Sequence, residues 1–140
     1  MSITHFRDLD VWRVAMDMTC QVYELTADFP REERYGLSAQ IQRAAVSVPS
    51  NIAEGNARQS RREYAHFLSI ASGSIAEVQT QLLLALQLGL TYSGSVEPAL
   101  ELAERVSKML YRLHEALASP PGPRSPVPGP RISETTKDNA

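Results

Sequence analysis

The chain has 140 residues, 43% of them apolar and 21% charged, which bounds it to one globular domain with a core of ordinary size. Lys and Arg number 14 against 16 Asp and Glu, a formal net charge of −2, so no overall field draws it to nucleic acid or to anionic membranes. Any phosphate contact must come from a local patch. The single cysteine, Cys20, excludes an internal disulfide and, set among apolar helical positions, is expected to be a buried free thiol.

The N-terminus, MSITHFRDLDVWR, is charged within its first ten residues and has no apolar segment of the kind a secretory signal needs. The longest apolar stretch, LLLALQLGL from Leu82 to Leu90, is too short to span a bilayer. A cytoplasmic protein is expected, neither secreted nor membrane-inserted.

Four helices are expected between about residues 8 and 118. In the first, Asp10, Arg13, Asp17, Gln21, Glu24 and Asp28 form one narrow polar stripe. Val11, Val14, Met18, Val22, Leu25 and Phe29 lie on one side of it, and Leu9, Trp12, Met16, Cys20 and Tyr23 on the other. The helix therefore carries two apolar flanks where a monomeric bundle needs one. The second helix, about 33 to 57, repeats the design: Leu37, Ile41, Ala44, Ala45, Val48 and Ile52 form a core face, and Ala39, Val46, Pro49 and Ala53 lie roughly opposite. Its polar line is Gln40, Arg43, Ser47, Asn51, Glu54 and Arg58. Pro49 lacks a backbone donor and crowds the preceding turn, so a kink or break is expected after Ser47 or Val48, with a stop near Gly55 and Asn56.

Ser60 followed by Glu63 is a capping box that opens the third helix, which runs to about Leu88 and ends at Gly89. Its core stripe is Tyr64, Phe67, Leu68, Ala71, Ile75, Val78, Leu82, Ala85 and Leu86, while Ile70, Leu84 and Leu88 form a second apolar line. The fourth helix, about 96 to 117, is conventional, with Val96, Leu100, Ala103, Val106, Leu110, Leu113 and Leu117 inward and an acidic and basic face outward. Short connections imply an all-α, antiparallel up-down-up-down four-helix bundle over residues 1–118. The surplus apolar surface on helices one to three is resolved most simply by homo-oligomerisation. Six of the nine prolines fall between Pro120 and Pro130, so residues 119–140 are expected to be a disordered Pro-rich tail that is a linker or tether or has no role.

FRDLDVW (Phe6 to Trp12), VYELT with the following Phe29 and Pro30, YGLSAQIQRAAVSVPSNIAEG (Tyr35 to Gly55) and RQSRREYAHFLSIASGSIAE (Arg58 to Glu77) stand in the order found in one family. The chain resembles the small four-helix proteins encoded within intervening sequences of bacterial 23S ribosomal RNA genes. The resemblance covers nearly all of residues 6 to 117. It implies an antiparallel four-helix bundle that assembles into a ring-like homopentamer. Related proteins include the accessory factor of diversity-generating retroelements, a basic pentameric barrel that binds nucleic acid and partners a reverse transcriptase. This chain departs from that relative in charge: residues 1 to 118 hold eleven Lys and Arg against fourteen Asp and Glu, a net of −3, so a strongly basic barrel is not expected.

Arg58, Arg61 and Arg62 cluster at the start of the third helix, where backbone N–H groups also favour anions. Repeated around an oligomer, with Arg43 on the second helix, they would form a multivalent, salt-dependent groove for an RNA or DNA backbone. The alternative is a solvated basic turn paired with Glu54 and Glu63. Gln40, Arg43, Ser47, Asn51 and Glu54 share one face and are read as a hydrogen-bond network across a subunit interface. Gly36, Gly55 and Gly73 are turn or close-packing positions, since none opens a strand-loop-helix unit.

Glu63 and His66 reproduce the Glu-x-x-His spacing of di-iron bundles, but that site needs two such motifs and two further glutamates, so no metal or cofactor is expected. Cys20 has no His partner on its helix and no serine stands in a nucleophile elbow. Trp12, Tyr23, Tyr64 and Phe67 could stack on bases, but at core positions packing is the commoner role. The expected function is a non-enzymatic oligomeric scaffold that binds structured RNA or DNA, possible partners being a second copy, a nucleic acid and a reverse transcriptase or other protein. The competing expectation is a protein-binding adaptor with no nucleic-acid role.

Overall fold

The computed structural model describes residues 5–118. The expected tail at 119–140 lies outside the described residues. After a 3-10 turn at Phe6–Asp8, the chain forms four helices: α1 (Asp10–Ala27), α2 (Leu37–Asn56), α3 (Arg61–Gln87) and α4 (Ser93–Ala118). A second 3-10 turn, Arg31–Glu33, joins α1 to α2. Consecutive helices pack on each other and α4 closes back on α1. Cross-links fix the directions: Thr19 and Thr26 of α1 meet Ala45 and Gln42 of α2, Ser47 of α2 meets Ser74 of α3, and Arg61 of α3 meets Ala116 of α4. Each pair is antiparallel, and the described residues form an up-down-up-down bundle.

The core follows the 3.6-residue stripes. Met18, Val22, Ile41, Val48, Ile52, Leu68, Val78, Leu82, Val106 and Leu110 are fully buried and interlock in one cluster. The other flank of α1 is left outside: Met16 and Tyr23 are 39% and 46% exposed. Cys20 lies on that flank and is exposed, correcting the buried thiol expected from its apolar neighbours. Those neighbours are themselves uncovered in the single chain.

The ends of the helices follow local chemistry. Ser60 caps α3, its Oγ accepting from Glu63 N at 3.0 Å. Gly89 takes φ +77°, and the Gly89 and Leu90 amides donate to Leu86 and Ala85 carbonyls at 3.1 and 3.0 Å, a Schellman stop. Helix α2 begins four residues later than expected, because Arg31–Glu33 winds as a separate 3-10 turn and Gly36 intervenes before Leu37. Helix α4 begins at Ser93 and not near Val96, its first turn carrying glycine and serine with no apolar rhythm to mark it.

Pro49 does not break α2, which runs unbroken from Leu37 to Asn56. A proline at this position leaves the carbonyl four residues back without its helical donor. That carbonyl belongs to Ala45, and it accepts the Thr19 hydroxyl of α1 at 3.1 Å. The same hydroxyl lies 2.8 Å from the Ala15 carbonyl, so a single proton is shared between a bond within the helix and one between helices. Near the end of α2, Gly55 lies tight against α3: a methyl group there would stand 2.8 Å from Phe67 Cβ and 3.1 Å from the Tyr64 ring.

Candidate nucleic-acid interface

The turn between α2 and α3 presents three arginines, and its geometry commits two of them. Arg58 donates to Glu54 Oε2 at 2.9 Å, one helical turn back, and its guanidinium lies 4.8 Å from the centre of the Phe67 ring. Arg61 reaches across to α4 and donates to the Ala116 carbonyl at 2.8 Å, near the helix C-terminus, where the dipole favours a cation. Arg62 has no ion-pair or hydrogen-bond partner among the described residues and lines a surface cleft with Gln59, Ser60, Glu63 and His66. The pairing with Glu54 raised as the alternative for the basic turn is therefore present at Arg58. The Glu63 carboxylate shares the cleft of Arg62 without an ion pair.

Arg43 stands apart from this cluster. It lies thirteen residues before the end of α2 at Asn56, roughly 20 Å along the axis at 1.5 Å per residue. There it shares a cleft with Gln40, Ala44, Ser47, Glu77 and Gln81. Within one chain the expected four-arginine patch is thus divided into a turn and a separate position midway along the bundle.

Part of the expected polar network is present, and it lies inside the chain. Asn51 Nδ2 donates to the Ser47 carbonyl and to Ser47 Oγ at 2.8 and 2.9 Å, and Ser47 Oγ stands 2.8 Å from Ser74 Oγ on α3. The Ser47 hydroxyl accepts from Asn51 and still has both a proton and a second lone pair, so either serine can donate in the Ser47–Ser74 bond that links α2 to α3. Glu54 is engaged with Arg58 and not with this line. Gln40 lines the cleft without joining it. Ser74 is the member that sequence reading passes over, and its position gives it away: it is 7% exposed, a serine set among the core-facing positions Ala71, Ile75 and Val78. At the floor of the same cleft, Gln81 Oε1 is buried with no donor among the described residues.

Two stretches of outer surface are apolar. Trp12, Met16 and Thr19 of α1 form a groove of about 360 Å³ with Val46, Pro49, Ser50 and Ala53 of α2. On α3, Ile70, Leu84 and Leu88 are 39%, 42% and 60% exposed, the second apolar line seen in the sequence. Gly73, Ala76, Glu77, Thr80 and Gln81 lie between them around a shallow groove. Among the described residues no group of three or more His, Cys, Asp or Glu is placed to hold a metal ion; Glu63 and His66 are both exposed. No described helix is long and apolar enough to cross a membrane.

Comparison with known proteins bears on the fold and the family. The chain is similar to a protein with unknown function from the S23 ribosomal protein family of Bacteroides thetaiotaomicron, whose crystal structure superposes with a TM-score of 0.68 at 20% identity over 75% of this chain and 98% of that one. At that identity the likeness is one of fold. No curated protein matches significantly. The family model for the 23S rRNA-intervening sequence protein matches residues 7–112, which takes in all of α1 to α3 and most of α4. The chain belongs to the 23S rRNA-intervening sequence protein family.

Proposed function

We propose that this protein is a non-enzymatic scaffold whose copies join through their uncovered apolar faces into a ring-like homopentamer, the form the family resemblance implies. The ring would present the α2–α3 basic turn to structured RNA or DNA in the cytoplasm. The observation that carries the assembly is the pair of different apolar faces, the α1–α2 groove and the Ile70–Leu84–Leu88 line of α3. A contact of one face with the other on the next copy is head-to-tail, and such contacts close into rings when the rotation permits. The nucleic-acid part of the reading rests on Arg62, unpartnered beside the capped start of α3, where amide dipoles add to its charge.

A protein-binding adaptor, with a reverse transcriptase or another protein as its partner, is the second reading. It is favoured by the engagement of Arg58 with Glu54 and of Arg61 with Ala116, contacts that a phosphate would have to displace. Filter binding of a hairpin RNA at low salt separates the two. Retention by the native protein is expected, about tenfold weaker in Arg62→Ala and weaker still in Arg61→Ala/Arg62→Ala, with a shallower salt dependence in both variants. No retention, or equal retention by all three proteins, would leave the adaptor reading standing.

A further inference from the structure

At the opposite end of the bundle from the basic turn, about 30 Å away along α2, the α1–α2 connection encloses a cavity of about 460 Å³. Its polar wall is made by Arg31, Arg34, Ser38, Thr26 and Gln42 and contains no carboxylate. The Arg31 and Arg34 side chains are exposed and make no ion pair or hydrogen bond among the described residues. Ser38 is the second residue of α2 and only 7% exposed, yet its hydroxyl has no hydrogen-bond partner among the described residues. The hydroxyl is not sealed from solvent and lines the cavity, so a group bound there can supply the bond that the chain does not.

The surroundings favour an anion. The N-cap of α2, Gly36, has no side chain to bond the first-turn amides, and the helix dipole points its positive end here. The Leu37 amide is taken by Glu33 Oε1 at 3.3 Å, so Glu33, which does not line the cavity, is turned to the backbone. Gln42 Nε2 spends one proton on Thr26 Oγ1 at 2.9 Å and keeps a second. Two free guanidinium groups, an unmatched hydroxyl and a helix N-terminus are donors suited to the oxygens of a phosphate group. Next to Arg34 in the chain, Tyr35 stands 89% exposed, a free aromatic face on which a base could stack.

The geometry points to a phosphate-binding pocket for a nucleotide unit, with Arg31, Arg34 and Ser38 on the phosphoryl oxygens and Tyr35 against the base. It goes beyond the basic-turn reading and shares no residue with it. Phosphorus NMR titration of the full-length protein with inorganic phosphate and with adenosine 5′-monophosphate tests it. Both ligands are expected to show saturable broadening. Arg31→Gln and Arg34→Gln should each weaken binding about tenfold, and Ser38→Ala several-fold. Tyr35→Ala is expected to weaken the nucleotide but not inorganic phosphate, and Arg105→Gln, an exposed position on α4, to change neither. Unsaturable broadening, binding indifferent to Arg31→Gln and Arg34→Gln, or binding lost equally in Arg105→Gln would overturn the pocket. Equal loss of both ligands in Tyr35→Ala, or no loss of either, would overturn the stacking role.

Discussion

Replacing Leu84 by glutamate is expected to leave the helical content of the protein intact and to reduce its mass in solution to that of a single chain. Leu84 is 42% exposed and belongs to the line of Ile70 and Leu88 that the single bundle leaves in water. A carboxylate there is hydrated in the lone chain and costs the bundle little. Set against an apolar groove on the next copy it would be desolvated without a partner, a penalty of several kcal/mol per contact, and a ring repeats that contact at every seam. Ile70→Glu, nearly four turns earlier on the same line, is expected to act alike. Circular dichroism and light scattering on the same samples check both halves of the expectation, and an unchanged mass would remove α3 from the interface.

The second large effect is internal. Thr19→Val removes the hydroxyl that covers the Ala45 carbonyl, while keeping the branched shape of the side chain. Ala15, the other carbonyl it approaches, lies inside α1 and has the usual helical donor besides. The cost therefore falls on one buried acceptor, about 1–3 kcal/mol. That carbonyl is free only because Pro49 has no N–H to give it. In a Pro49→Ala background the backbone donor returns, and the penalty of Thr19→Val should shrink to a small fraction of its value. A double-mutant cycle by urea denaturation measures the coupling; additive effects would mean that the Thr19 hydroxyl is not what accommodates the proline.

These two cases mark where sequence stops informing. The apolar stripes of all four helices are legible because a 3.6-residue period is a property of one segment alone. The cap at Ser60 and the stop at Gly89 are equally local. Pro49 misleads because the rule that a proline interrupts a helix counts the helix's own donors, and here the replacement donor comes from α1. Cys20 misleads for the reverse reason: apolar neighbours indicate burial only if something covers them. Arg43 and Arg58 share a helical face in the sequence, but the length of α2 keeps them apart. Ser38 carries no motif at all; only the cavity and the two arginines on the preceding turn give it meaning.

Self-assembly is the claim on which the scaffold reading depends, and the mass of the native protein in solution tests it most directly. Sedimentation equilibrium at micromolar concentration is predicted to give five times the 15.5 kDa of the chain. A mass of one chain, unchanged as concentration rises, would contradict it and leave the two apolar faces as ordinary surface.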